Sequence, residues 1–432
     1  MTWWPIALML VLTNPSFSVA QVEVPPEDRS DLPKFYFDAL VFAGSDGTAS
    51  RLDVYVQVPY EALQFVQGNN GYDAAYEEII SIFDEEKNLV AEKLSTEHLH
   101  QLTFPETADP SRSNVTQRFF TLSPGRYSLA IQVRDEETRK SMRSKREIEV
   151  RSMHDSDLAI SDLMLVNQLR LEGNKRTILP NISGNVADLP EGFYLFGEVY
   201  NRTSCDTFEV SYQVKNAKDE IRFRESFSQA AVQGRNQLFV KINAASLPMG
   251  RYIVGLRATA CRNARPERPL VAYSSRPFVV HWRGLPPVID DLDAAVDQLT
   301  YTAESGELDH VKKAPSAEEK KKRFYEFWKK RDPSPNSERN EAMEEYYGRV
   351  AYANKNFSHY KDGWRTDRGM VFIMFGVPSN IDRHPFDSNA KPYEVWYYND
   401  LNYRFLFVDE TGFGDYQLDP STPLWNIKSR KR

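Results

Sequence analysis

Two periods of apolar residues divide the chain. Up to about residue 284 they recur at every second position or in short unbroken runs, and from 288 to about 355 at every third and fourth. Leu52, Val54, Val56 and Val58 alternate with polar neighbours, as do the residues of Tyr127-Ser-Leu-Ala-Ile-Gln-Val133. Period two marks a strand with one buried and one wet face. Phe35 to Ala43, Ile79 to Phe83 and Arg146 to Val150 add strands, with turns at Gly44 to Gly47 and at Asp84 to Asn88. Many short strands at regular spacing predict a β-sandwich for residues 33–152. Residues 157–284 repeat the theme with Tyr194 to Tyr200, Phe208 to Val214, Gln237 to Ile242 and Pro277 to Trp282.

Leu285-Pro-Pro287 is a stiff, extended hinge, and past it the spacing turns helical. Ile289, Leu292, Val296 and Leu299 fall on one helix face, with Asp290 and Asp291 in the first turn. Leu308 and Val311 form a short helical turn that Pro315 ends. Ser316 with Glu319 has the spacing of a capping box and opens a helix to about Arg331, striped by Phe324, Phe327 and Trp328. Asp332-Pro-Ser-Pro335 breaks it, and a last helix from about Ser337 to Asn354 aligns Met343, Tyr346, Tyr347 and Val350. Residues 288–355 therefore read as a helical connector whose stripes pack helix on helix and onto the sheet that follows.

Residues 356–420 are the densest stretch. A polar turn, Tyr360-Lys-Asp-Gly-Trp-Arg-Thr-Asp-Arg-Gly369, runs into Met370-Val-Phe-Ile-Met-Phe375, apolar at every position. The missing alternation predicts a strand covered on both faces, ended by Gly376-Val-Pro378. A loop with Pro385 and Pro392 follows. Tyr393 to Tyr398 and Tyr403 to Val408, separated by Asn399-Asp400, read as a hairpin. The expectation is a three-stranded antiparallel meander introduced by the turn. Gly363 and Gly369 bracket that turn, as residues do where φ is positive or backbones approach closely. Thr366 and Asp367 stiffen it through side-chain bonds to nearby N–H groups, and Arg365 and Arg368 flank Asp367 within pairing reach.

Two resemblances rest on these residues. Leu122-Ser-Pro-Gly125-Arg-Tyr127 matches Leu247-Pro-Met-Gly250-Arg-Tyr252 at an offset of 125 residues, about one sandwich domain. The pattern resembles the tyrosine corner of immunoglobulin-like sandwiches, where the hydroxyl bonds back to upstream backbone. Gly363-Trp364-Arg365-Thr366-Asp367, then Arg368-Gly369 and Phe375-Gly376-Val377-Pro378, resembles the GWxTD domain of exported bacterial proteins. Phe327-Trp328-Lys-Lys-Arg-Asp332-Pro333 and Arg339-Asn340-Glu341 through Asn354 share that resemblance, which covers the last third of the chain and implies no particular chemistry. The fold expected is mainly β and multidomain: two immunoglobulin-like β-sandwiches, a helical connector and a small α+β C-terminal domain with an antiparallel meander.

Composition narrows the setting. A chain of 432 residues exceeds one ordinary core. Net charge −7 argues against a general nucleic-acid binder. Ile6 to Leu12 is a short apolar run and Ser18-Val-Ala20 a small-residue cleavage site, so residues 1–20 read as a secretory signal although no Lys or Arg precedes the run. Left uncut, the segment would act as an N-terminal anchor. A linker, 21–32, follows, and no transmembrane segment is expected after cleavage. Residues 421–432 form a basic tail ending Lys428-Ser-Arg-Lys-Arg432, read as a solvated terminus. The expected location is the periplasm or the extracellular space. Cys205 and Cys261, just beyond strand ends in one module, leave two readings open: a disulfide, which export permits, or two unpaired small core residues.

Familiar catalytic signatures are missing: no Gly-x-Ser-x-Gly, His-Glu-x-x-His, phosphate-cradling loop or Cys-x-x-Cys occurs. His98 and His100 share a strand face, but no third ligand lies nearby in sequence, and no metal or cofactor is expected. The constellation around the turn remains. His359, Asp367 and Arg368 are the catalytic candidates, because acid–base work needs a His or carboxylate held near a partner and donors for developing charge. Trp364, Arg365, Thr366 and Asp367 are the binding candidates. Three functions stay open: a non-enzymatic structural or protein-interaction module, a hydrolase-like enzyme sited at the turn, and a carbohydrate- or peptide-binding protein. The partner expected is a protein or an envelope glycan, with the oligomeric state undetermined.

Overall fold

The structure, a computed structural model, describes residues 35–422 except 46, 110, 173–174, 188, 190, 244–246, 262–269, 283, 335–339 and 387–389. The expected signal segment, the linker up to residue 32 and the Lys428 to Arg432 stretch lie outside the described residues. The architecture is mostly β and multidomain, with helices between β-rich regions. It divides into two compact units, one of residues 35–299 and 304–347, the other of residues 300–303 and 348–422.

The larger unit opens with strands β1 (Tyr36–Ala43), β2 (Ser50–Pro59), β3 (Val66–Gly68), β4 (Gly71–Phe83) and β5 (Leu89–Gln101). A short helix α1 (Phe104–Thr107) precedes β6 (Ser113–Leu122), β7 (Gly125–Asp135) and β8 (Ser141–Val150). One sheet runs β1-β2-β6 and the other β3-β4-β7-β8, with β5 beside β4. Their inner faces share one core that includes Leu52, Val54, Tyr76, Ile80, Phe120 and Ile131. Alternation correctly marks β2 and β7. It did not reveal β5 or β6, whose outward positions carry Leu94 and Phe119 exposed to solvent and blur the period.

The second β module comprises β9 (Leu158–Ile160), β10 (Met164–Glu172), β11 (Lys175–Pro180), β12 (Phe193–Asn201), β13 (Thr207–Asn216), β14 (Ile221–Ala230), β15 (Gly234–Ile242), β16 (Gly250–Ala260) and β17 (Val271–Val280). Its sheets run β11-β10-β12-β15, with β9 on β12, and β14-β13-β16-β17. Cys205 and Cys261 are joined by a disulfide. The repeated tyrosines do the same work in both modules. Tyr127 Oη donates to the Ser123 carbonyl at 2.9 Å, and Tyr252 Oη to the Pro248 carbonyl at 2.8 Å. Tyr252 is buried and stacks on Phe278. Tyr252→Phe keeps the ring and deletes one hydrogen bond, so it should cost about 1 kcal/mol in a urea titration. The more exposed Tyr127→Phe should cost less.

The two β modules are fused. Leu40, Phe42 and Tyr55 of the first and Met164, Val166, Ile182 and Phe196 of the second form one buried cluster. The open edge of β1 is capped from the second module: the Val41 N–H donates to Asp162 Oδ2 at 2.9 Å and the Ala43 N–H to Tyr200 Oη at 2.8 Å.

Helices α2 (Leu292–Gln298), α3 (Glu307–Lys312) and α4 (Ala317–Lys329) follow, and α5 (Glu341–Phe357) begins in this unit and ends in the next. Asp291 caps α2 and Ser316 caps α4 with side-chain oxygens. The aromatic stripes meet as their spacing implies. Phe324 and Trp328 are buried against Tyr346 and Tyr347, whose hydroxyls donate to the Gln298 and Ala295 carbonyls, and Phe327 is buried edge-on to Trp328.

The smaller unit corrects the sequence reading. Met370 to Phe375 is no strand; it belongs to helix α6 (Asp367–Phe375). Thr366 Oγ1 accepts the Gly369 N–H at 2.9 Å to start the helix, and Gly376, at φ +78°, ends it. Met370, Val371, Phe372 and Ile373 are all buried, so the unbroken apolar run is that of a helix enclosed on every side. The meander is instead a four-stranded antiparallel sheet in sequence order: β18 (Asn380–His384), β19 (Tyr393–Tyr398), β20 (Tyr403–Asp409) and β21 (Tyr416–Leu418). The β19–β20 hairpin forms from the two strands expected, turning at Asn399-Asp400, and β18 lies in what reads from sequence as loop.

Candidate functional site

The turn that leads into α6 is a short 3-10 segment, Gly363–Arg365, and each residue of the motif closes on a neighbour. Gly363 is there for close approach, not for a positive φ: a Cβ on it would lie 1.9 Å from the Ala353 carbonyl oxygen of α5. Gly369 is the same case, with a Cβ 1.9 Å from the Gly363 oxygen. The Gly363 N–H donates to Ser358 Oγ at 2.7 Å and the Trp364 N–H to Asn354 Oδ1 at 3.0 Å. Trp364 is buried edge-on to Tyr301, whose hydroxyl donates to the Trp364 carbonyl at 2.9 Å. Burial, and secondarily the Asp367 carboxylate, push that hydroxyl up to about 12, so it stays a neutral donor. Thr366 Oγ1 donates to the Gly363 carbonyl at 2.7 Å while capping α6. Arg365 is exposed, its guanidinium over the Trp364 ring and its Nε 3.4 Å from Asp362.

The catalytic candidates each close on a different internal partner. Asp367 Oδ2 accepts the Leu418 N–H at 2.8 Å and ties α6 to β21. Arg368 Nη1 lies 3.5 Å from Glu394 Oε1, and its guanidinium stacks over Tyr416. His359 Nδ1 accepts the Tyr360 N–H at 2.9 Å, which puts the ring proton on Nε2, 3.1 Å from Asp415. Nδ1 is thereby engaged and Nε2 faces the Asp415 carboxylate, whereas a general base needs a ring nitrogen turned toward substrate. Tyr360 and Lys361 converge on the same carboxylate, at 2.7 and 3.3 Å. Burial alone would raise the Asp415 carboxyl, but the Tyr360 hydroxyl and the Lys361 ammonium outweigh it and hold the group below its ordinary value.

Beside this joint lies a cavity of about 300 Å³, lined wholly by residues of the smaller unit. Phe357, Phe372 and Trp396 make its apolar walls, and Arg368, Arg383 and Glu394 its polar side. Glu394 is buried; Oε2 accepts the Trp396 indole N–H at 3.0 Å, and Oε1 lies 3.4 Å from Arg383 Nε. Of these, only Arg368 was singled out from sequence. Glu394 had a usable signal: in Tyr393-Glu-Val-Trp-Tyr-Tyr398 it shares the period-two face of Trp396 and Tyr398, both buried. Asp415 had none, since its partners lie some fifty residues upstream.

The sequence profile of the GWxTD domain matches residues 275–420. This chain contains a GWxTD domain. The match begins well upstream of the turn, at β17, and takes in the helices before it. Within the GWxTD domain four of the five motif residues, Gly363, Trp364, Thr366 and Asp367, thus tie the turn to α5, α6 and β21, while Arg365 stays exposed over the Trp364 ring. No curated protein matches the chain. Solved structures resemble it only distantly. A Bacteroides uniformis beta-glucuronidase is 12% identical with a TM-score of 0.20, over 37% of this chain and 14% of its own. Dimeric latent PorU from Porphyromonas gingivalis is 10% identical with a TM-score of 0.21, over 60% of this chain and 22% of its own. Trypsin-activated alpha-2-macroglobulin from Escherichia coli is 8% identical with a TM-score of 0.18, over 60% and 16%. The chain spans less than a quarter of each of these three. Among the described residues no helix is long and apolar enough to cross a membrane.

Proposed function

We propose that this is an exported cell-envelope protein, periplasmic or extracellular, acting as a non-enzymatic interaction module with a protein or envelope glycan as partner. One observation carries the reading: His359, Asp367 and Arg368 are each closed on an internal partner, so the motif is a structural joint. The hydrolase-like alternative would need the His359 ring to turn away from Asp415 and the Tyr360 N–H. The Cys205–Cys261 bridge supports export, because disulfides persist in oxidising compartments.

The scaffold reading is two immunoglobulin-like sandwiches, residues 33–152 and 157–284, followed by a connector, 288–355, and a C-terminal domain, 356–420. The shared strand order supports it, β1-β2-β6 opposite β5-β4-β7-β8 and β10-β12-β15 opposite β14-β13-β16-β17, as do the two tyrosine bonds.

Asp367→Ala discriminates the joint from an active site. Losing a charged acceptor for a backbone N–H should cost about 2 kcal/mol of stability. Thermal melts of the purified mature protein should show that loss. An unchanged melting temperature, together with loss of a hydrolytic turnover present in the wild type, would mark Asp367 as catalytic.

A further inference from the structure

We infer that the outer face of the sheet β14-β13-β16-β17 binds a glycan that carries carboxylates, with a sugar ring on Tyr273 and its carboxylate at Arg257. This deepens the interaction reading and rests on it.

The register sets out the face. Ser226, Ser211, Arg257 and Tyr273 stand directly opposite one another across the four strands, and Arg224, Gln213, Gly255 and Ser275 form the next row. Their strand neighbours Tyr212, Val214, Leu256 and Ala258 lie in the core, so by alternation both rows point away from it. Gly255 makes room for the aromatic ring. A Cβ there would lie 2.6 Å from the Tyr273 hydroxyl oxygen and 3.0 Å from Cε2. The ring leans across the glycine, a close approach that a glycine inside a central strand permits. Tyr273 nevertheless stays 50% exposed, and so does Ile253 one row on.

Charge selects the ligand. Arg257 is exposed, and among the described residues it has no hydrogen-bond or ion-pair partner. Arg224 donates to Gln213 Oε1 at 2.8 Å, which leaves the Gln213 amide nitrogen as a further donor. Neither row holds a carboxylate. The nearest acid on this face, Glu209, stands one row away opposite Ser228 and Thr259, and Glu225 points to the other face, where the Tyr212 hydroxyl bonds it. An arginine fork matches a planar carboxylate with two parallel N–H bonds. A pyranose acid combines that group with an apolar C–H face for the ring and hydroxyls for the serines and the amide. A peptide is disfavoured, because β13 and β16 are inner strands whose backbone is already paired on both sides, so no strand can add there. Strands about 4.8 Å apart put roughly 15 Å between Ser226 and Tyr273, room for a few linked sugars.

Calorimetric titration of the purified protein at about 0.15 M salt, with polygalacturonate, its fully methyl-esterified form and poly-L-glutamate, tests this. The acid polymer should bind about tenfold more tightly than the ester. Arg257→Gln should erase that difference. Tyr273→Ala should weaken the acid polymer by a similar factor, and so should Gly255→Ala, which pushes the ring aside without lowering the melting temperature, since alanine is no worse than glycine inside a strand. Equal binding of acid and ester, or no binding of the acid at millimolar carboxylate, overturns the proposal. So does poly-L-glutamate binding as tightly as polygalacturonate, which would assign the face to acidic peptides. The Asp367→Ala melts are read independently of these titrations, so failure here leaves a protein partner and the structural role of the motif in place.

Discussion

Gly363→Ala should unfold the smaller unit, at a cost of about 4 kcal/mol, although it adds a single methyl group. The new Cβ would sit 1.9 Å from the Ala353 carbonyl oxygen, 2.5 Å from its carbon and 2.8 Å from Asn354 Cα. All three are backbone atoms inside helix α5, so no side chain can swing away to relieve the overlap. The turn or the helix must move by more than an ångström. Either movement breaks bonds that start at the turn: the Trp364 N–H to Asn354, the Gly363 N–H to Ser358, and the Thr366 cap of α6. Gly348→Ala is the matched control. Gly348 lies mid-helix in α5 with open space around its Cα, so alanine there should stabilise by about 0.5–1 kcal/mol through backbone entropy and helix propensity. Thermal melts of the two variants should move in opposite directions. A Gly363→Ala melt within a degree or two of wild type would mean that α5 and the turn are not locked together.

That contrast shows what the sequence can and cannot carry. The turn was recognisable from its glycines and short polar residues, and a close approach was one of two reasons for a glycine there. Which reason applied depends on α5, ten residues upstream, and no local pattern encodes that distance. The helix α6 was misread for a related reason. Six consecutive apolar residues have no period, so they suit a strand covered on both faces and a helix enclosed on all sides equally well. Thr366 and Gly376, cap and stop, were the deciding signals, and both were visible in the sequence. The aromatic stripes of α4 and α5 were legible because helical spacing alone fixes which residues share a face. The cavity was not, since Arg368, Arg383 and Glu394 come from three elements that only tertiary packing brings together. Reading one dense segment therefore located the turn and left out the pocket beside it.

Asp38→Ala should be the most damaging change in the larger unit, at about 3–5 kcal/mol. Asp38 on β1 and Arg276 on β17 pair across the junction of the two β modules at 2.5 Å, with side chains 3% and 16% exposed. Asp38 also accepts the Ala39 N–H. Removing it strands Arg276, and with it Arg146, whose guanidinium covers the Phe37 ring and is held below its ordinary value by burial, with Asp38 opposing that fall and Arg276 adding to it. The largely buried Arg276 and the more exposed Arg146 on β8 would then repel each other with no carboxylate to offset them. Arg276→Ala should cost less, because Arg146 remains near Asp38 to offset its charge. The double variant should fall short of the sum of the two single losses, since the second substitution removes a charge the first left stranded. Urea titration of the four proteins tests this. Because the modules also share the Leu40, Phe42, Met164 and Phe196 cluster, the loss should appear as one earlier transition of both. Two separated transitions in the wild type would show the modules to be independent. Strictly additive single losses would show that Asp38 and Arg276 act through other neighbours and not through each other.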